Sequence, residues 1–320
     1  MDREKKMKIQ ELEKHYELLF DTTVMAVDDP HTFGAPENRT CRICRQTKPN
    51  VTFRNAAHIF PASLGCKRVL TYEECDSCNS RFGNKVERHF VDFIGPRHVV
   101  SKIPKREGHP KHKVPELNQS IHYEDNDEFE GWVAKNLIVK SVDKESRTII
   151  FTTKKNKYIP LEVFRALIKI GFHFLPENEL SNFIKTADWL SLPNASPVPS
   201  ANVIETTFPD KRLEGVHIAL FRRKKREDLP YMGMTITFYN YTFCTYFPFC
   251  KEDQYLGAKN ITAYDLLNPI HLHTPVMKKC IDLSNSRPIS EDQELRLTYD
   301  PEQDAVAERF LKILTHNKQA

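Results

Sequence analysis

The sequence predicts an α+β protein in two parts: a small N-terminal finger of strand, loop, strand and helix held together by cysteines, and a separate C-terminal domain of mixed strands and helices. Three observations carry this. Two Cys-x-x-Cys pairs, Cys41/Cys44 and Cys75/Cys78, bracket one segment. After Cys78, the residues Phe82, Val86, Phe90 and Phe93 recur at helical spacing and define an inner face. From Gly131 onward, β-branched and aromatic runs alternate with apolar helical stretches. At 320 residues the chain is long for a single domain. The expected division is 1–40 as an amphipathic helix and lead-in loop, 41–128 as the finger with a basic extension, and 129–320 as an α+β accessory domain.

Composition bounds the function. With 40% hydrophobic and 28% charged residues and a mean hydropathy of −0.53, the chain has the make-up of a soluble globular protein. No run approaches the roughly 18 apolar residues that span a bilayer, so no membrane partner is expected. The first residues, MDREKKMKIQELEK, are charged throughout and lack the apolar core of a secretory signal, which makes the cytoplasm the expected compartment. There, the eight cysteines are expected as thiols or metal ligands rather than disulfides. A net charge of +4 does not by itself imply nucleic acid; its local distribution matters more.

In chain order, Ile9, Leu12, Tyr16 and Leu19 are spaced 3, 4 and 3 apart within Lys8 to Phe20, the stripe of an amphipathic helix. Packing on its own domain is the expected role, and a dimerisation helix in a homodimer is the alternative. Asp28 to Asn38 carries Pro30, Gly34 and Pro36 and reads as a loop. Each Cys-x-x-Cys turns two sulfurs toward one ion, and two such pairs complete the tetrahedral shell of a structural Zn²⁺ on Cys41, Cys44, Cys75 and Cys78. The 30 residues between Cys44 and Cys75 must enclose real structure. Val51 to Phe60 reads as a strand, Pro61 to Gly65 as a loop, Lys67 to Tyr72 as a second strand and Cys78 to Ile94 as a helix.

With those residues in that order, the segment resembles the four-cysteine branch of the HNH endonucleases, whose fold is a zinc-bracketed ββα-metal finger. The matching pieces are Cys41 to Cys44, His58-Ile59-Phe60-Pro61-Ala62-Ser63-Leu64-Gly65, and Cys75 to Asn79 followed by Arg81 to Glu87. The resemblance implies that His58 is the general base, a task suited to an imidazole that titrates near neutrality. It also implies that Asn79 is a ligand of a catalytic Mg²⁺ or Mn²⁺, a hard ion that accepts an amide oxygen; an N-cap role is the alternative for this residue. Ala57 departs from the pattern, because most members carry Asp or Glu before the base as a second ligand. Three explanations stand open: asparagine as sole protein ligand, Glu87 as substitute acid two turns down the helix, or a dead site. By resemblance the activity is metal-dependent hydrolysis of DNA phosphodiesters, leaving 5′-phosphate and 3′-hydroxyl ends. The alternative is a catalytically silent zinc-stabilised DNA-binding or regulatory module.

Arg81 and Asn84 are candidate phosphate contacts. So are Lys102, Lys105, Arg106, Lys111 and Lys113, in a run with six Lys or Arg, three His and one Glu over Arg97 to Lys113; a solvated linker is the plain alternative. The acidic residues Glu124 to Glu128 mark the expected boundary. Beyond it, Val139 to Val142 and Thr148 to Thr153 read as a hairpin, Leu161 to Phe174 and Leu180 to Leu190 as helices, and Ser191 to Ala201 as a loop. Val203 to Thr207, His217 to Arg222 and a long Thr235 to Phe249 read as strands, and Glu302 to Leu314 as a closing helix. Arg222 to Arg226 is a second candidate backbone contact, with a solvated turn as the ordinary expectation. Cys66, Cys244, Cys250 and Cys280 read as ordinary thiols, and His271/His273 as a minor candidate for a second metal site. This half resembles uncharacterised C-terminal regions that accompany HNH fingers in bacterial proteins. A partner protein, a signal ligand and a role in anti-phage defence enter only by that analogy.

Overall fold

The computed structural model describes residues 10–103, 110–126, 129–194, 196–208, 213–226, 228–256, 277–300 and 304–319. It is α+β, with four sheets and several helices. The chain divides into two compact units: Met1–Ala62, Cys66–Phe90 and Ile159–Arg287 form the first, and Ser63–Gly65, Val91–Tyr158 and Pro288–Ala320 form the second.

In the first unit, the expected N-terminal helix is replaced at Tyr16 by a strand. Residues 10–15 are helical, and β1 (Tyr16–Met25) pairs with β11 (Leu213–Arg223), because Val24 and Tyr16 serve a sheet core better than a helical stripe. The supposed loop contains β2 (His31–Phe33), which lies parallel to β4 (Val69–Thr71). β3 is only Ala57–His58, antiparallel to β4, and the small sheet runs β2-β4-β3 with β3 on its edge. Gly65 takes φ +91° after the Ala62–Leu64 turn, a backbone state that glycine adopts without strain.

The finger helix is α1 (Asp76–Arg81), a π turn over Phe82–Val86, and α2 (Glu87–Ile94). The sequence carries the reason: Phe82, Val86 and Phe90 are four apart, a spacing that drifts around a regular α-helix, and the wider π turn returns all three to one buried face. Phe60 and Phe90 meet Phe238 at ring-centroid distances of 5.0 and 5.9 Å, and Phe90 meets Phe243 at 5.7 Å, so the finger packs directly on a larger sheet. That sheet is antiparallel and runs β1-β11-β12-β13-β10-β14, with β10 (Asn202–Thr207), β12 (Met232–Tyr239), β13 (Tyr241–Tyr246) and β14 (Met277–Asp282). The long strand expected over Thr235 to Phe249 is thus a hairpin that reverses at Tyr239, where φ is +49°, and Asn240. An apolar helix, α4 (Pro160–Phe172), packs against the π turn, and a 3₁₀ stretch (Glu177–Phe183) leads into α5 (Ile184–Ser191).

In the second unit, α3 (Pro96–Val100) precedes the sheet β5-β6-β7, made of Lys111–Val114, Gln119–Asn126 and Phe129–Lys135. The expected hairpin forms as β8 (Ile138–Asp143) and β9 (Thr148–Lys154), with β15 (Asp292–Thr298) added beside β9. The closing helix forms as α6 (Asp304–Gln319), and Trp132, Phe151, Leu297 and Phe310 lie in one core. The boundary expected near 128 lies between β6 and β7, which pair with each other inside the second unit. Of the acidic run, Glu124 to Asn126 belong to β6, Asp127 and Glu128 lie outside the described residues, and most of the finger shares its unit with C-terminal strands. Among the described residues no helix is long and apolar enough to cross a membrane.

Candidate active site

The Sγ atoms of Cys41, Cys44, Cys75 and Cys78 lie within 4.8 Å of one another, and Cys44 and Cys75 are 3.7 Å apart. Four thiolates at about 2.3 Å from a tetrahedral zinc stand about 3.8 Å apart, so the cluster fits the ion. The first pair sits on a knuckle closed by the Arg45 N–H donating to the Cys41 carbonyl (2.8 Å), with Arg45 at φ +58°. The second pair opens α1. Hydrogen bonding to Cys75, with burial, pushes the Cys41 thiol up to about 12, and contact with Cys41 and Cys75 pushes Cys78 up as well. Hydrogen bonding with Cys41 and Cys78 pulls the Cys75 thiol down in turn. The Cys75 N–H and an Arg81 N–H point at cluster sulfurs from 3.5 and 3.8 Å, the kind of outer-shell donors that orient thiolate ligands.

His58 lies half-buried on edge strand β3, and α1, which carries Asn79, packs against that strand. Asn79 is the fourth residue of α1, and its N–H bonds the Cys75 carbonyl. The N-cap position belongs to Cys75, so capping does not occupy the Asn79 amide. Ala57 is buried at 1% exposure, on the opposite side of the strand from its neighbour. A carboxylate there would enter the core, which explains why the position carries alanine. Apart from the four cysteines, no group of three His, Cys, Asp or Glu among the described residues could hold a metal. The Asn79 side chain offers one neutral amide oxygen, a donor of the class that hard ions accept.

Glu87 is placed elsewhere than expected. It lies about 12 Å below Asn79 at 1.5 Å per residue, too far for one shared ion. Its carboxylate accepts from Lys169 of α4 at 2.9 Å. The same ammonium, fully buried, donates to the carbonyls of His58 (2.7 Å) and Ile59 (3.3 Å) and lies 3.2 Å from Glu74, which in turn is 3.0 Å from His173. Burial works against charge on Lys169, yet Glu74 and Glu87 outweigh it and hold the amine above the ordinary lysine value. Burial likewise opposes charge on Glu74, but Lys169 and His173 draw it below the carboxylate range. Burial, with the Glu74 charge, raises Glu87. Removing the lysine alone would strand two buried carboxylates, at a cost of about 3–5 kcal/mol.

Sequence reasoning missed this group, although a signal was present. Glu162, Arg165, Lys169 and His173 are spaced 3, 4 and 4 apart on a helix whose other residues are mostly apolar, and all four are buried. A polar stripe on a buried helix must face polar partners. Arg165 donates to the carbonyls of Trp189 and Leu190, at the end of α5.

Burial holds the His173 imidazole below its ordinary value, with the Lys169 and Arg42 charges in support and Glu74 opposing. The unfolded chain therefore takes up a proton below about pH 6.5 that the folded chain refuses, so this residue's contribution to stability falls as pH falls. Thermal unfolding between pH 8 and 5 is expected to show a shallower acid decline in His173→Gln than in wild type. Equal slopes would contradict this.

The expected nucleic-acid residues divide. Arg81 is spent on the α5 C-terminus, donating to the carbonyls of Leu190 (2.9 Å) and Ser191, where a cation meets the negative helix end. Lys102 sits over the rings of Tyr123 (4.0 Å) and Trp132 (6.0 Å). Lys105 and Arg106 lie outside the described residues, as do His271 and His273. Asn84 is exposed and bonds Ser80. Lys111 and Lys113 project from the same exposed face of β5. In the second basic run, Arg222 pairs with Glu17 and Glu179, Arg223 pairs with Asp253, and Lys224 bonds the Glu13 carbonyl. Lys225 and Arg226 remain exposed, and with Lys251, Tyr231 and Tyr255 they line a cavity of about 440 Å³.

Residues 41–93 match the family described as HNH endonuclease. No curated protein and no solved structure matches the chain. The family match covers the finger from Cys41, the first of the four clustered cysteines, nearly to the end of its helix. It points to nuclease chemistry and, with it, to a nucleic-acid partner.

Proposed function

We propose that the protein is a metal-dependent DNA endonuclease whose finger carries the chemistry. The observation that supports this most is the family match over 41–93, joined with a half-buried His58 on an edge strand beside the helix of Asn79. His58 takes a proton from the attacking water, and Asn79 holds the divalent ion. Bound Mg²⁺ or Mn²⁺ supplies Lewis-acid stabilisation of charge at phosphorus and on the departing 3′ oxygen. The four cysteines hold zinc as scaffold. Glu87 belongs to the support of the strand and not to the ion. Supercoiled plasmid is expected to be cut only when Mg²⁺ or Mn²⁺ is added, with ends that a ligase reseals, as 5′-phosphate and 3′-hydroxyl require. Cutting that ignores the added ion, or ends that resist ligation, would refute the mechanism.

A silent DNA-binding module is the second reading, favoured by the buried Ala57 and the missing carboxylate ligand. Under either reading Lys111 and Lys113 are proposed phosphate contacts. Lys111→Ala/Lys113→Ala is expected to lower the slope of log K against log[salt] by about 2 in a DNA-binding titration, without altering sequence preference. An unchanged slope would remove them from the interface. A partner protein or signal ligand on the C-terminal strands and an anti-phage role rest on analogy, a cytoplasmic location rests on the charged first residues, and a homodimer rests on the N-terminal amphipathic stripe. Lys225, Arg226 and Lys251 would suit an anionic ligand.

A further inference from the structure

The geometry points to Lys169 as the positioning residue of the His58 site: a buried ammonium from a helix outside the finger that fixes the strand carrying the base against the helix carrying the ion ligand. This rests on the nuclease reading above, and it assigns Lys169 no contact with substrate, since its side chain is 0% exposed.

Strand β3 needs such a device. It has two residues, and its ladder to β4 consists of Ala57 opposite Thr71 and His58 opposite Leu70, extended by the Ile59 N–H donating to the Val69 carbonyl at 3.0 Å. Because β3 is the edge of its sheet, no further strand is available to pair its outer side. Lys169 supplies bonds to the carbonyls of His58 and Ile59 from outside the sheet. An ammonium has three protons, and here they are directed among four acceptors on three elements. The two carbonyls belong to the His58 strand, Glu87 opens α2 on the Asn79 helix, and Glu74 directly precedes the zinc ligand Cys75. One charge therefore sets the spacing between base, ion ligand and scaffold. The arrangement also explains why a helix so apolar keeps a lysine inside: the ring of Phe82 lies 5.7 Å from the ammonium, and no described route leads it to solvent.

The test removes the bond while leaving the net buried charge unchanged. Lys169→Met/Glu74→Gln deletes one buried charge of each sign. Three quantities are measured on the full chain: zinc content, amide hydrogen exchange of residues 57–61 by mass spectrometry, and kcat and KM for plasmid cleavage. The expected result is retained zinc, exchange at 57–61 faster by tenfold or more while the cysteine turns stay protected, and kcat lower by about tenfold to a hundredfold with KM unchanged. Wild-type exchange and wild-type kcat in the zinc-loaded double variant would overturn the proposal, leaving Lys169 a structural residue only. If the double variant loses zinc, Glu87→Gln decides. It is isosteric and takes the charge from one anchor of the ammonium, leaving a weaker neutral acceptor; a two- to tenfold loss in kcat with faster exchange at 57–61 supports the proposal, and wild-type values for both overturn it. A wild type that cuts no DNA would remove the nuclease reading, and the exchange rates alone would then uphold or overturn the hold of Lys169 on the strand.

Discussion

His58→Ala is expected to lower kcat by about 10²- to 10⁴-fold, the range typical of a positioned general base. Its affinity for DNA, zinc content and unfolding temperature should stay near wild type. The reason for that separation is structural. The backbone of His58 is held by β4 and by Lys169, neither of which depends on the imidazole, and its side chain is only half-buried. Truncation therefore removes a proton acceptor without opening a core cavity. Equal turnover in the two proteins would mean that another base acts, or that none is needed.

Cys75→Ser is expected to have the largest effect on stability. Structural zinc in finger peptides is worth about 10–16 kcal/mol at neutral pH, against about 5–15 kcal/mol for the whole stability of an ordinary domain. Here the ligands come from two distant places, the 41–44 knuckle and the start of α1, so losing one frees both ends of the finger. The damage should reach further than the finger, because Phe60 and Phe90 pack on Phe238 and Phe243 of the large sheet. The variant should purify with less than one zinc per chain and lose cooperative thermal unfolding, and chelation should do the same to wild type. A Cys75→Ser protein that melts as wild type would show that the cysteines are not a staple.

The finger was legible because its signals are local. Cysteine spacing, the Pro-Ala-Ser-Leu-Gly turn and a four-residue aromatic spacing each act over a few residues, and strand, loop, strand and helix appear in the expected order. The elements that failed depend on distant partners. Tyr16 to Phe20 reads as the end of a helix because Leu12, Tyr16 and Leu19 fit one, whereas the strand over Tyr16–Met25 is set by pairing with residues about 200 positions away. The packing of Phe60 on Phe238 was hidden for the same reason, since nothing in the sequence near Phe60 announces it. Glu87 reads as one candidate for the missing acid because it shares a helical face with Asn79, whereas its partner Lys169, 82 residues on, is not visible from there. The basic residues show the opposite error. Arg81 looked free for phosphate, but three carbonyls at a helix end, of Leu190, Ser191 and Leu192, lay out of sight.

The central claim is that this finger is a working nuclease site despite the alanine at position 57. Cleavage of supercoiled plasmid by zinc-loaded wild type, His58→Ala and Asn79→Ala, side by side in Mg²⁺ and in Mn²⁺, tests it most directly. The account predicts that wild type converts the plasmid to nicked or linear form, while both variants, equally folded and zinc-loaded, leave it supercoiled on the same timescale. Plasmid left intact by wild type in either ion across a range of salt, or cut as fast by the two variants, would contradict it.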